Sequence, residues 1–147
     1  MRISAKGRYG LAAMISMAQN TDKTQNITIA SVSQKLGISK IYLEHVFSLL
    51  KRADLVQSTK GSSGGYQLSR PAEKITAYDI ISSIEQLLFE QTKKSLSDNA
   101  DSIENSMQKL VFEKVDNSII EALKEVTLND LVTEAEKGSQ NNIMFYI

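Results

Sequence analysis

Two short amphipathic segments separated by one tight turn constrain the fold of this chain more than any other feature. Thr28 can cap a helix that ends at Gly37, and Ser39 can cap a second helix over residues 40–53. The apolar positions of the second segment fall on one helical face: Leu43, Val46, Phe47 and Leu50. Two short helices joined by the turn LGIS are typical of a helix-turn-helix.

A glycine-rich hairpin follows this helix pair. Residues 55–58 and 66–68 are short strand candidates, and the loop 61–65 between them, GSSGG, is expected at the hairpin tip. A helix-turn-helix followed by such a hairpin is a winged helix, whose second helix fits the major groove of DNA and whose hairpin lies along the backbone or in the minor groove. GSSGG alone is a common flexible loop, so this prediction depends on the order of the elements.

Further helices are predicted on both sides of this unit. Ser4 can cap a helix over about residues 5–19, and Thr76 with Asp79 forms a capping box that opens another. Apolar residues then recur at threes and fours over residues 102–126, which predicts one long helix.

A second capping box predicts the last helix of the chain. Thr127 and Asp130 have the spacing of such a box, and the helix they open is expected to end near Gly138. The predicted fold class is therefore mainly α with a small β-hairpin.

The net charge is zero, but the charges are divided between the two halves of the chain. Residues 1–76 carry 11 Lys and Arg against 4 Asp and Glu, whereas residues 77–147 carry 6 against 13. A basic front half could be no more than a solvated face. Combined with the winged-helix pattern, it favours a nucleic-acid partner for the front half and a protein partner for the back half.

The chain has no cysteine and a single histidine, His45. Within these residues there is thus no disulfide, no thiolate zinc site and no cysteine-ligated cluster. One histidine and scattered carboxylates provide no nucleophile–base pair or metal set, so we expect no catalytic residue, no metal and no cofactor. Without a run of ~20 apolar residues, we expect a cytoplasmic protein with no membrane partner.

Three stretches resemble the winged-helix transcriptional regulators of the IscR/CymR type. These are MRISAKGRYGLAAM, IS…YLEHVFSLLKRADLV and KGSSGGYQLSRP…ITAYDII. The resemblance implies a homodimer that binds a pseudo-palindromic double-stranded DNA operator. It also implies three regions: a winged helix-turn-helix DNA-binding region over 1–76, a helical dimerisation region over 77–138 with the loop 89–101, and a tail over 139–147.

The resemblance implies that the first helix, the second helix of the helix-turn-helix and the hairpin tip contact DNA. Thr28 and Lys40, at the starts of two predicted helices, complete the candidate set. The candidate DNA-binding residues are Arg8, Tyr9, Thr28, Ser39, Lys40, Tyr42, Glu44, His45, Lys60, Gly61 and Ser62. A lone histidine such as His45 is interpreted as a surface or groove-facing residue rather than a metal ligand.

One departure from the family separates its branches. Cluster-binding members place three cysteines in the loop that corresponds here to residues 89–101, and this loop contains neither Cys nor His. Sensing through a bound iron–sulfur cluster is therefore not expected. Of the two branches, the chain resembles the cysteine metabolism repressors, which implies a repressor of cysteine and sulfur genes.

The C-terminal tail, ending in MFYI, resembles the tails of that branch. Such repressors act with cysteine synthase, and O-acetylserine relieves the repression. The resemblance implies that Phe145, Tyr146 and Ile147 form a partner-binding segment, with the Ile147 carboxylate in the synthase pocket for an amino-acid carboxylate. Two alternatives stay open: Phe145 and Ile147 could pack back onto the dimer helix, or the regulator could respond to another small-molecule signal.

Overall fold

A computed structural model describes the backbone of residues 3–146 and the side chains of residues 3–141. It contains seven α-helices in the described range and one two-stranded antiparallel sheet. The helices are α1 (Ala5–Ala18), α2 (Ile29–Leu36), α3 (Lys40–Arg52), α4 (Ala77–Ile84), α5 (Asp101–Met107), α6 (Glu113–Lys124) and α7 (Leu128–Tyr146). The strands are β1 (Val56–Thr59) and β2 (Gly65–Leu68).

The predicted caps form as hydrogen bonds. The hydroxyls of Ser4, Thr28 and Ser39 accept backbone N–H groups at the starts of α1, α2 and α3. Gly37 ends α2 with φ of 68°, a left-handed conformation that glycine adopts without strain. The predicted mainly α fold with a small hairpin is therefore confirmed.

Both predicted capping boxes are also confirmed. In the first, Thr76 and Asp79 bond reciprocally at the start of α4. In the second, the Asp130 N–H donates to Thr127 Oγ1 at 3.0 Å and the Thr127 N–H donates to Asp130 at 2.9 Å. Each box satisfies two backbone donors that a helix start leaves unpaired.

The core is built around α1. Met14 is fully buried among α3, α4 and the start of α7, which contributes Leu128 and Val132 to the same cluster. Gly10 faces Ile84 of α4 so closely that a β-carbon at Gly10 would overlap the Ile84 side chain. This close approach fixes α1, which the resemblance places at the DNA, against the rest of the fold.

The predicted long helix is present from Asp101 to Lys124, with one irregularity. Residues Gln108–Phe112 form a turn of π-helix between α5 and α6. Since a π-turn adds a residue to the repeat, it rotates the apolar stripe of α6 relative to that of α5.

The predicted end of the last helix near Gly138 is wrong. Helix α7 continues to Tyr146, so the segment expected to be an irregular tail has a helical backbone. A glycine inside a helix costs only about 1 kcal/mol, and no proline follows Gly138 to stop the helix. The side chains of Phe145 and Tyr146, and Ile147 altogether, lie outside the described residues.

None of the described helices combines the length and apolar composition that crossing a membrane requires.

Candidate nucleic-acid interface

Helix α3 separates a buried face from an exposed polar face. Leu43, Val46, Phe47 and Leu50 are all fully buried, as the sequence periodicity predicted. The opposite face near the N-terminus of the helix exposes Lys40, Ile41, Glu44 and His45. Ser39 Oγ accepts the Tyr42 N–H at 3.2 Å and so fixes where this exposed face begins.

The start of α1 lies directly beside α3. The rings of Tyr9 and Tyr42 meet edge to face with centroids 5.1 Å apart, and both residues are half-buried. Lys6 Nζ lies 3.1 Å from Nε2 of His45, within hydrogen-bond distance. Arg8 is exposed on the same short stretch of α1. The structure therefore brings the predicted α1 and α3 residues together on one surface.

Lys6 belongs to this surface although it was not among the predicted contacts. Its ammonium extends the set of basic groups around the N-terminal part of α3 and lies beside the His45 ring. The sequence does place two basic residues, Lys6 and Arg8, at the start of α1. The contact between Lys6 and His45 could not be predicted, because the two residues are 39 positions apart.

The hairpin, called the wing below, presents its tip to solvent. Strands β1 and β2 pair from Val56 with Leu68 to Thr59 with Gly65, which leaves Lys60 to Gly64 as the loop. Gly61 has φ of 108°, and a β-carbon at Gly64 would overlap the Thr59 carbonyl oxygen. Lys60, Gly61 and Ser62 are exposed at this tip. The glycines permit the tight turn that places these three residues in solvent.

Backbone pairing, ring packing and a side-chain hydrogen bond hold the wing against the helix-turn-helix. Ile27, just before α2, pairs with Tyr66 of β2 through backbone hydrogen bonds of 2.8 and 2.9 Å. The Tyr66 ring in turn packs on Phe47 of α3, with centroids 4.8 Å apart. Asn26 Nδ2 also donates to the Ser63 carbonyl at 2.8 Å, a contact with the wing loop that the sequence did not predict.

The side chain of Thr28 has a local role. Its hydroxyl accepts the Ser31 N–H at 3.1 Å as the cap of α2, although the residue is exposed. Its predicted DNA contact therefore stays a prediction, as do the contacts of the other candidate residues.

The cations of this surface are not neutralised within the described chain. The ion pairs among residues 3–141 involve Arg70 with Asp79, and Lys94 with Asp98 and Asp101. Arg8, Lys40 and Lys60 take part in none of these pairs. Their charges are thus available to phosphate groups.

Comparison with known proteins identifies the family of this chain. The family model Rrf2, described as an iron-dependent transcriptional regulator, matches residues 3–134. The chain belongs to the Rrf2 family. It is therefore a transcriptional regulator with a winged helix-turn-helix, as the resemblance implied.

Individual relatives come from both branches of the family. The regulator CymR of Bacillus subtilis is 35% identical over 147 residues, 100% of each chain. The regulator IscR of Klebsiella pneumoniae is 30% identical over 136 residues, 92% of this chain and 82% of that protein. The solved structure of the B. subtilis CymR superposes with a TM-score of 0.74 at 33% identity, covering 91% of this chain and 98% of that one. The T. potens IscR structure gives 0.70 at 33% identity, covering 94% and 90%.

The residues of the loop 89–101 do not fit the iron–sulfur chemistry associated with part of the Rrf2 family. The sequence supplies no thiolate, and no cluster of three His, Asp or Glu side chains suited to a metal occurs among the described residues. The loop is instead bonded to the long helix. Glu104, 2% exposed, accepts the backbone N–H groups of Ser95 at 3.2 Å and Leu96 at 3.0 Å.

Further polar contacts close this loop onto α5 and α6. Gln108 Nε2 donates to the Thr92 carbonyl at 2.7 Å, and the Thr92 N–H donates to Asp116 at 3.3 Å. Hydrogen bonds to Asp101 and Asp98 raise the pKa of Lys94 above its usual value. In this Rrf2 protein, hydrogen bonds and ion pairs thus hold the loop 89–101 against the long helix.

The long helix carries an exposed apolar stripe. Ile103, Leu110, Val111 and Val115 are 50 to 61% exposed, although apolar residues four apart, such as Val111 and Val115, usually belong to a buried helix face. A groove beside them continues along α6 and is lined mainly by Val115, Ile119, Ala122 and Leu123. An exposed apolar stripe of this length is typical of a surface that interacts with another molecule.

Proposed function

We propose that this protein is a dimeric repressor of cysteine and sulfur metabolism genes that acts with cysteine synthase and is relieved by O-acetylserine. One observation carries the proposal: the similarity to the B. subtilis cysteine regulator extends over 100% of both chains, including the tail. The absence of cysteine in the loop 89–101 supports it, because a signal must then enter by a route other than a cluster.

The proposed DNA complex places the exposed face of α3 in the major groove. Glu44 is suited to accept a hydrogen bond from the N4 amino group of cytosine, while Ser39 and His45 lie close enough on the helix to contact neighbouring groups. Arg8 and Lys40 provide phosphate contacts, and Lys60 at the wing tip is placed for the backbone or the minor groove. Tyr9 and Tyr42 hold α1 and α3 at a fixed spacing through their ring contact.

The proposed dimer is formed by the exposed stripe of α5 and α6. A two-fold axis along this stripe would bury Leu110, Val111 and Val115 of both protomers against each other. Two winged helices held in this way match a pseudo-palindromic operator with two half-sites.

The proposed partner contact is made by Phe145, Tyr146 and Ile147. It requires a free carboxylate on Ile147, which would occupy the pocket where cysteine synthase holds the carboxylate of its amino-acid substrate. O-acetylserine would then compete for the same pocket and dissolve the complex. The alternative is a regulator of the same family with another small-molecule signal, and the similarity to IscR relatives at 30% identity supports it.

The DNA-binding part of the proposal is tested with duplexes from the regions upstream of sulfur-assimilation genes. We expect specific binding whose affinity falls steeply with salt, and Lys60→Ala should reduce the salt slope by about one, because one ammonium then no longer neutralises a phosphate. Fluorescence anisotropy between 50 and 300 mM salt, roughly the range over which counterion release is resolved, measures both quantities. Lys74→Ala, which removes an equal charge away from the wing tip, is the control.

Two results would contradict this part. Absence of protection on all such fragments, with and without cysteine synthase, would rule out the repressor function. An identical change in slope for Lys60→Ala and Lys74→Ala would show that net charge, rather than a wing contact, is responsible.

The partner part is tested by deleting residues 144–147. We expect the deletion to abolish co-purification with cysteine synthase, because it removes the apolar residues and the carboxylate together. O-acetylserine should release the intact protein from the synthase. Adding Gly-Ser after Ile147 is the sharper variant, since it keeps every side chain and moves only the carboxylate.

DNA binding in the absence of cysteine synthase is the control for this deletion. The truncated and intact proteins should bind the operator equally, since a loss of binding would show that the deletion damaged the fold. Equal retention of intact and truncated protein on immobilised cysteine synthase would overturn the tail hypothesis while leaving the DNA-binding function unaffected.

A further inference from the structure

Ile41 is an apolar side chain in an unexpected place. It is 81% exposed at the second position of α3, with Lys40 before it and Tyr42 after it. The other large exposed hydrophobic residues of the described chain lie between Leu87 and Val115, on the long helix or the segment leading to it. Ile41 thus cannot belong to the stripe that we assign to the dimer.

The position of Ile41 within α3 aims it at the surface assigned to DNA. Residues three and four positions apart share a helix face, so Ile41 lies next to Glu44 and His45, both exposed. The buried face of the helix, with Leu43 and Val46, points the other way. Ile41 therefore enters the major groove together with Glu44 if α3 does.

The chemistry of the major groove offers one apolar group at the base edges. Thymine presents its C5 methyl group there, and apolar side chains contact it, whereas the other base edges present donors and acceptors. Isoleucine suits this contact because its branched side chain is stiff, so little conformational freedom is lost on binding.

We propose that Ile41 determines specificity by contacting a thymine methyl group in each half-site of the operator. The proposal rests on the DNA-binding function proposed above. The rise from Ile41 to Glu44 is about 4.5 Å along the helix, which compares with about 3.4 Å between base pairs. The thymine should therefore lie one or two base pairs from the base that Glu44 contacts.

The test removes the methyl group without changing any hydrogen bond. An operator is first selected from random duplexes with the intact protein, and each thymine is then replaced by deoxyuridine in both half-sites at once. We expect one position at which this replacement weakens binding by about fourfold per half-site, or about fifteenfold for the dimer, the effect of one buried methyl group. Replacements at the other thymines should have little effect.

The matched protein variants assign the effect to Ile41. Ile41→Ser should bind the thymine and deoxyuridine operators equally, and Ile41→Val should keep most of the preference because its branched carbon remains. Since Ile41 is exposed, both variants should unfold at the same temperature as the parent protein, which circular dichroism checks.

The outcomes distinguish the role of Ile41 from the DNA-binding function on which it rests. Specific DNA binding with no deoxyuridine-sensitive position, or with the same sensitivity in Ile41→Ser, overturns the role of Ile41 and leaves the DNA-binding function standing. Failure of the intact protein to select any duplex overturns both. Loss of the preference only in Ile41→Ser supports the proposal.

Discussion

Val115→Asp is expected to convert the proposed dimer to a monomer. Val115 is 52% exposed on a single protomer and lies in the apolar groove of α6, where a partner helix would surround it. A carboxylate placed there would lose its water on association without gaining a partner. Sedimentation equilibrium at micromolar concentration measures the change directly.

The same variant should lose operator affinity by about a hundredfold or more. The affinity of a protein bound to two linked half-sites exceeds its affinity for one half-site by roughly 10²–10⁴, because the second contact is made at high effective concentration. The monomer keeps α3 and the wing intact, so weak binding to a single half-site should remain. Binding to operators with one and two half-sites distinguishes this result from general damage.

Asn117→Asp is the matched control for the dimer prediction. It adds the same charge to the same helix, but Asn117 is exposed and lies two residues from Val115, on the opposite face. It should therefore remain a dimer and bind the operator normally. If both variants are monomers, added negative charge on the helix, rather than the position of Val115, explains the dissociation. If both variants are dimers, the stripe is not the dimer interface.

Most elements of the fold could be predicted because their signals are local. A cap such as Thr76 with Asp79 fixes the start of a helix through contacts three residues apart, and Gly37 ends α2 through its own backbone conformation. The wing could be located for the same reason, since its glycines serve a turn within the loop. The end of α7 could not, because Gly138 only weakens a helix and the outcome depends on the residues around it.

The exposure of the candidate residues on α3 could be predicted, but their contacts could not. The periodicity of α3 sets Glu44 and His45 on the exposed face, and the structure agrees. The contact of Lys6 with His45 depends on how α1 packs on α3, which no local pattern encodes. The burial of Glu104 beneath the loop is a similar case, because its partners at Ser95 and Leu96 are backbone groups without a sequence signature.

Phe47→Ala is expected to cause the largest loss of stability among single substitutions in the DNA-binding half. Phe47 is fully buried, and its ring packs on Tyr66 of the wing at 4.8 Å between centroids. Truncating a buried phenylalanine costs about 3–5 kcal/mol of unfolding free energy. Since a domain of this size has about 5–15 kcal/mol in total, much of its stability would be lost.

Phe47 also links α3 and the wing, the two elements that we propose contact DNA, so its truncation should affect more than stability. Urea unfolding at one fixed protein concentration measures the free energy of unfolding, because the proposed dimerisation would make the apparent stability depend on concentration. Ser48→Ala, at the exposed neighbouring position, should stay within about 0.5 kcal/mol of the parent protein. A loss below about 1 kcal/mol for Phe47→Ala would contradict the assigned burial. If operator affinity falls further than the folded fraction accounts for, the Phe47–Tyr66 contact sets the position of the wing relative to α3.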